Sequence, residues 1–199
     1  MKPLFFILFI GLMSSNATAQ TPSKVNFDDY EKLTQEVKAY RKNRLIDWKT
    51  FNTYSKEAKT VILDTRSKEM YDRKHVKGAI HLNFSDFTQA NLARLIPDSN
   101  TRILIYCNNN FKDDPINFAT KSYVPKPKLL VLPSGNSKQS ARSFPWEPIQ
   151  AQPAKELTLA LNIPTFINLY GYGYKNVYEL SELISVTFPR IIFEGTDVR

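Results

Sequence analysis

Residues 102–107 read Arg102-Ile103-Leu104-Ile105-Tyr106-Cys107, and the reading of this stretch decides the fold. Four consecutive large apolar residues, two of them β-branched, suit a strand buried on both faces, as in a parallel sheet. Thr60-Val61-Ile62-Leu63-Asp64 is a second run of the same kind. Shorter strand candidates are Leu45-Ile46, Ala79 to Leu82, Asn176 to Leu180 and Arg190 to Phe193. Between them the apolar residues step by three and four, as helices require. Tyr30, Leu33, Val37 and Tyr40 predict an N-terminal helix over 27–44, opened by Asp28 or Asp29. Asp47 caps a helix from Trp48 to about Lys56, Met70 and Tyr71 sit in a helical turn, and Phe84 to Leu95 reads as a further helix. Strands alternating with helices predict an open, mostly parallel α/β sheet. Ligands bind such sheets beyond the carboxyl ends of the strands, where Cys107 stands.

Cys107 is the only cysteine of the 199 residues, and there are only two histidines. These counts exclude an intrachain disulfide framework, a dithiol oxidoreductase and a Cys-rich zinc site, and leave little for a His-based one. The net charge of +8 favours anionic ligands but is too modest to mark a nucleic-acid binder. At the start, Lys2 precedes a ten-residue apolar run, Leu4 to Met13, and then Ala17-Thr18-Ala19. This is the pattern of a secretory signal peptide over 1–19, with the mature chain starting at Gln20. Ten apolar residues reach about 15 Å as a helix, and a bilayer core is about 30 Å thick. The expected location is periplasmic or extracellular, with no membrane contact after cleavage.

Residues 124 to 153 hold six of the twelve prolines, and Lys121 to Arg142 carries five basic residues and no acidic one. The segment, about 124–155 in all, reads as an insertion in a single domain spanning 20–199. It is a solvated loop with one short apolar run, Leu129 to Leu132, or else a lid or a basic contact surface for a protein partner. After it, Ile163, Phe166, Ile167 and Tyr170 mark a helix face. Pro164 suits its first position, and Gly171 or Gly173 its end.

Four motifs in order resemble the rhodanese-like domain. They are Val61-Ile62-Leu63-Asp64-Thr65-Arg66, a strand ending in Asp-x-Arg; His75-Val76-Lys77-Gly78-Ala79-Ile80; the strand delivering Cys107; and Gly173-Tyr174-Lys175-Asn176-Val177-Tyr178. The resemblance covers roughly Leu45 to Glu182. It implies a five-stranded, mostly parallel sheet with helices on both faces, and sulfurtransferase chemistry with Cys107 as the catalytic residue. A sulfane sulfur from a small anionic donor such as thiosulfate would pass through a Cys107 persulfide to a thiol or cyanide. No metal, cofactor or nucleic acid is called for. The expected anion cradle is Asn108, Asn109, Asn110 and Phe111 through their backbones, with the Lys112 side chain. Asp64, Arg66, His75 and Gly78 are expected as structural support. Asp113 or Asp114 followed by Pro115 predicts a helix to about Ser122, its N-terminus towards Cys107, with both aspartates facing outward and the insertion following it. Asn110 stands where the family's loop often has glycine, and Lys112 where it has arginine. The related phosphatases need a longer loop with an arginine where Asp113 stands, which argues against that chemistry. The alternatives to an enzyme are a catalytically silent binding module and a thiol redox sensor.

The leader generates one test. N-terminal sequencing of the protein recovered from the periplasm or medium should begin at Gln20; Met1 retained in a membrane fraction would contradict the export expectation.

Overall fold

The computed structural model describes residues 26–123 and 157–198. The leader and the insertion 124–155, with its Leu129–Leu132 run, lie outside the described residues. In chain order the elements are α1 (Phe27–Lys42), β1 (Leu45–Ile46), α2 (Trp48–Tyr54), β2 (Thr60–Asp64), α3 (Lys68–Arg73), β3 (His75–Val76), β4 (Ala79–His81) and α4 (Gln89–Leu95). Then come β5 (Arg102–Ile105), β6 (Phe111–Lys112), β7 (Ser122–Tyr123), β8 (Leu157–Thr158), α5 (Asn162–Gly171), β9 (Val177–Leu180), β10 (Ile184–Ser185) and β11 (Phe193–Glu194).

The central sheet has five strands in the order β1-β9-β5-β2-β4, all parallel. Side-chain alternation divides its core in two. Leu63, Ile103, Ile105 and Val177 face α1, α4 and α5 through Val37, Leu92, Phe166 and Leu169. Ile62, Leu104, Tyr106 and Leu180 face α2 through Trp48 and Phe51, and meet the loop residues Phe111, Phe118 and Phe193. The chain leaves β2 for the β4 edge, then crosses back to β5 on the other side of β2. The carboxyl ends of β2 and β5 therefore form the topological switch point, where the crevice of an open parallel sheet lies.

The expected helices are trimmed or moved where local bonds compete. The N-terminal helix ends at Lys42 rather than Arg44, because the Asn43 N–H turns back to the Arg41 carbonyl. The expected helix 84–95 is a 3₁₀ turn at Phe84–Asp86 followed by α4. Thr88 caps α4 by accepting from the Asn91 N–H. Pro164 is the third residue of α5, not the first, and the expected last strand shifts to β11, which pairs antiparallel with β3 outside the central sheet. No helix forms over 115–122. Residues 115–117 make a single turn, and β7 pairs with β8 beyond it.

The C-terminal segment straps down the α3 end of the molecule. Lys77 donates to the Ile192 carbonyl, while Thr196 and Asp197 donate to the Asp72 and Arg73 carbonyls. Gly195 makes this approach possible at φ +131°, and a Cβ there would lie 2.4 Å from the Arg73 carbonyl oxygen. Gly173, at φ +97° behind α5, faces open space. Gly173→Ala should therefore cost only backbone strain, about 1–3 kcal/mol, and Gly195→Ala distinctly more. Urea unfolding of both variants checks the order; equal losses would show that the close approach to Arg73 is not what Gly195 serves.

Candidate active site

The platform of the site is the end of β2. Asp64 and Arg66 are almost fully buried, and Arg66 donates through Nε and Nη2 to Asp64, the latter at 2.7 Å. Its other bonds reach the Lys74 carbonyl, the Asn117 carbonyl and Asn108 Oδ1. Tyr106 donates to Asp64 Oδ2 at 2.5 Å and accepts from the Val76 N–H. Burial alone would disfavour the Arg66 cation, but the Asp64 carboxylate outweighs it and holds the guanidinium charged. Burial, then the Asp64 charge, pushes the Tyr106 hydroxyl well up, so it stays a proton donor. All five guanidinium N–H groups are thus spoken for. Arg66 supports the loops around the site and has no donor left over.

Cys107 follows β5 in extended backbone, φ −147°, ψ 179°. Alternation therefore continues through it: Tyr106 turns to the Asp64 side, and Cys107 turns with Ile105 towards α5. Its side chain is 4% exposed. The backbone N–H groups of Leu161, Asn108 and Asn162 lie close enough to the sulfur to favour its charged form. Two of these come from the start of α5, whose N-cap position is Leu161. A leucine cannot cap, and no acidic residue sits in the first turn. The orphan N–H groups and positive end of this helix are accordingly free for the sulfur. Burial pushes the thiol above its ordinary value, the three N–H groups pull it down, and the Asp64 charge adds to the rise, with burial prevailing.

The thiol opens into a cavity of about 290 Å³, lined by Arg66, Met70, Asn108, Asn109, Lys121 and Leu159 among others. Of the five expected cradle residues the structure brings two here. Asn108 and Asn109 line the cavity, with Asn108 also donating to the Ala119 carbonyl. Asn110 is a brace instead: it accepts from the Cys107 N–H and donates to the Leu180 and Glu182 carbonyls. Phe111 lies in the opposite core beside Phe118 and Phe193. Lys112 is exposed on β6 and lines a separate cavity with Asp47, Trp48 and Glu182. The reason is that the chain after Cys107 makes one 3₁₀ turn, Asn108–Asn110, and then runs off as a strand beside β10. It never curls around the sulfur.

The Asp113 and Asp114 expectation is corrected likewise. Asp113 takes φ +73° in the loop. Asp114 is turned inward: burial would raise its carboxyl, but bonds from Lys74 at 2.9 Å and from Asn117 hold it below the usual range. The helix facing Cys107 is α5, so the basic segment lies between the cysteine and its helix rather than after it. His75 places Nδ1 2.6 Å from the Tyr71 carbonyl, to which it donates, and stacks on the Tyr71 ring. Gly78 turns at φ +78° and donates to Glu194. Neither lines the Cys107 cavity. Among the described residues no three His, Cys, Asp or Glu side chains are placed to hold a metal ion.

Lys121, Met70 and the 159–162 stretch are the site residues that sequence reasoning passed over. Two signals pointed to the last of these. Pro164 near a helix start marked where α5 begins, and the Gly173-to-Tyr178 motif placed that helix just before β9.

Residues 42–133 match the family model of the rhodanese-like domain. Over that stretch, 92 of the 199 residues, the chain resembles the rhodanese-like domain. The match runs from just before β1 through the Cys107 loop, and such a domain is compatible with sulfurtransferase chemistry. Among solved structures, the BH2092 protein from Bacillus halodurans is similar at 19% identity and a TM-score of 0.31. That similarity covers 41% of this chain and 58% of the other, so the chain spans less than two thirds of that protein. Comparison with curated proteins finds no match.

Two tests follow from the rhodanese-like site. Alkylation of Cys107 by iodoacetamide should climb with pH to a midpoint above that of a cysteine in an unstructured peptide, because the raised thiol ionises late; a midpoint in the acidic range would contradict the burial argument. Asp64→Asn leaves Arg66 buried without its counter-charge and should cost about 3–5 kcal/mol in urea unfolding; a loss under 1 kcal/mol would show that Arg66 is not held by this pair.

Proposed function

We propose that the protein is an exported sulfurtransferase working through a Cys107 persulfide. The observation that carries this reading is the convergence of the Leu161, Asn162 and Asn108 N–H groups on a cysteine at the switch point of the sheet. The thiol proton leaves to solvent, and the thiolate attacks the terminal sulfur of the donor. The donor's S–S bond breaks with its electron pair on the leaving group, which for thiosulfate is sulfite. Cys107 then carries a persulfide whose outer sulfur holds the negative charge. In the second half, cyanide or a thiolate attacks that sulfur and the Cys107 thiolate is released. One cysteine is sufficient for the cycle.

The burial of the resting thiol fits this order of events. It keeps the free sulfur protonated and guarded, while the N–H groups stand where charge develops. The same burial speaks against a peroxide sensor, which needs an exposed, low-pKa thiol. Lys121 takes the part first given to Lys112, as the cation at the cavity that meets an anionic donor. A lysine is a point charge and not a bidentate fork, so the site is built for a charged end more than for a planar oxyanion. The leader pattern of residues 1–19 supports a periplasmic or extracellular setting for this activity.

The test is thiocyanate formation from cyanide, with thiosulfate and with a neutral organic polysulfide as donors. Cys107→Ser should abolish it with both donors. Lys121→Ala should lower kcat/KM for thiosulfate about tenfold, equivalent to a contact of about 1.4 kcal/mol, and spare the neutral donor; Lys112→Ala should change neither. Wild-type protein that moves sulfur from no donor would leave the binding-module reading in its place.

A further inference from the structure

A buried carboxylate on the α5 side of the sheet has no part in the chemistry so far described. Glu179 lies in β9, in register with Ile105 on β5, and its side chain is 2% exposed. Arg41 of α1 grips it with two bonds of 2.5 Å, from Nε to Oε2 and from Nη2 to Oε1. A third bond of 2.5 Å comes from Nδ2 of Asn162, the first residue of α5. Burying such a pair is weak evidence for stability, since apolar residues of similar size serve as well. What the network does hold is the start of α5, the helix whose first turn meets Cys107.

Asparagine at a helix start has a strong alternative. Although Asn162 follows the N-cap position, its side-chain oxygen can still turn to accept from nearby backbone N–H groups. In this structure it does not: Asn162 Oδ1 is buried without a partner, and α5 has no side-chain cap. The amide is drawn the other way by Glu179. We propose that the Glu179–Asn162 bond, backed by Arg41, is a positioning latch that keeps the first turn of α5 uncapped and open onto the Cys107 sulfur. Glu179 and Asn162 are positioning residues and touch no substrate. The purpose of the latch rests on the persulfide reading, but its effect is legible on the thiol alone. The other charged and titratable groups around that sulfur are Asp64, Arg66 and Tyr106 behind it and Lys121 at the cavity, and the Asn162 side chain bonds to Glu179 and to none of these.

The experiment is the pH profile of Cys107 alkylation by iodoacetamide in the full chain, with unfolding in urea as a control for the fold. Cys107 is the only cysteine, so every alkylation event reports on it. Asn162→Asp introduces a side chain that Glu179 repels and that puts a negative charge in the first turn of α5. Its alkylation midpoint should rise by about one pH unit, a tenfold loss of ionisation. Glu179→Leu frees the Asn162 amide to turn back onto the helix, and the midpoint should rise by about half as much. Glu179→Gln keeps an acceptor for Asn162 Nδ2 and should return the midpoint to near the parent's. The latch is overturned if Asn162→Asp and Glu179→Leu keep the parent profile, or if Glu179→Gln shifts as far as Glu179→Leu. Should the Asp variant not fold, Glu179→Leu against Glu179→Gln decides alone. Thiocyanate formation measured alongside separates the two claims: a parent that transfers no sulfur removes the functional reading, while the comparison of thiol profiles still judges the latch.

Discussion

The Asp64–Arg66 ion pair is the constraint on which the rest of this structure depends. A guanidinium at 2% exposure is tolerable only when each of its donors has an acceptor and its charge a partner. Meeting that demand ties β2 to the end of α3 through Lys74, to the loop after β5 through Asn108, and to the 115–117 turn through Asn117. Tyr106 joins from the neighbouring strand. The floor beneath Cys107 is therefore fixed by a polar network from one face of the sheet. The sulfur itself points to the other face, where α5 meets it. Support and chemistry are kept on opposite sides of a single strand, and the alternation of β5 is what separates them.

That separation explains how much could be read in advance. The strands were legible because most are short apolar runs with β-branched residues, and their parallel arrangement followed from their alternation with helices; their order in the sheet did not. Cys107 was legible as the residue after such a run. The cradle was not. Asp114-Pro115 has the form of a helix start, yet the Asn117 carbonyl that a growing helix would use is taken by Arg66, and Phe118 is drawn into the core with Phe111 and Phe193. Tertiary contacts overrode a sound local signal. Phe84 to Leu95 failed as one helix for a similar reason. Thr88 is a better cap than a helix interior residue, and the Phe87 carbonyl serves the Tyr172 hydroxyl instead of the next turn.

The misplaced cradle also changes how the basic, proline-rich segment is understood. It does not follow a completed active site. It separates the cysteine from the helix that completes the site, with β7 and β8 pairing at its two ends. Because of the long excursion between Cys107 and α5, the sequence just after the cysteine supplies only part of the proposed anion site, through Asn108 and Asn109. Asn110, Phe111 and Lys112 are released to brace β9, fill the second core and line another cavity, and the glycine and arginine missing from the loop have no cradle to serve there.

The claim at the centre of this account is that Cys107 can hold a second sulfur. The intact mass of the purified protein after exposure to thiosulfate or inorganic polysulfide tests it most directly. The account predicts a gain of one sulfur atom, lost on treatment with a reductant and absent when Cys107 is alkylated beforehand. An unchanged mass under both donors, or a gain of oxygen alone, would contradict it.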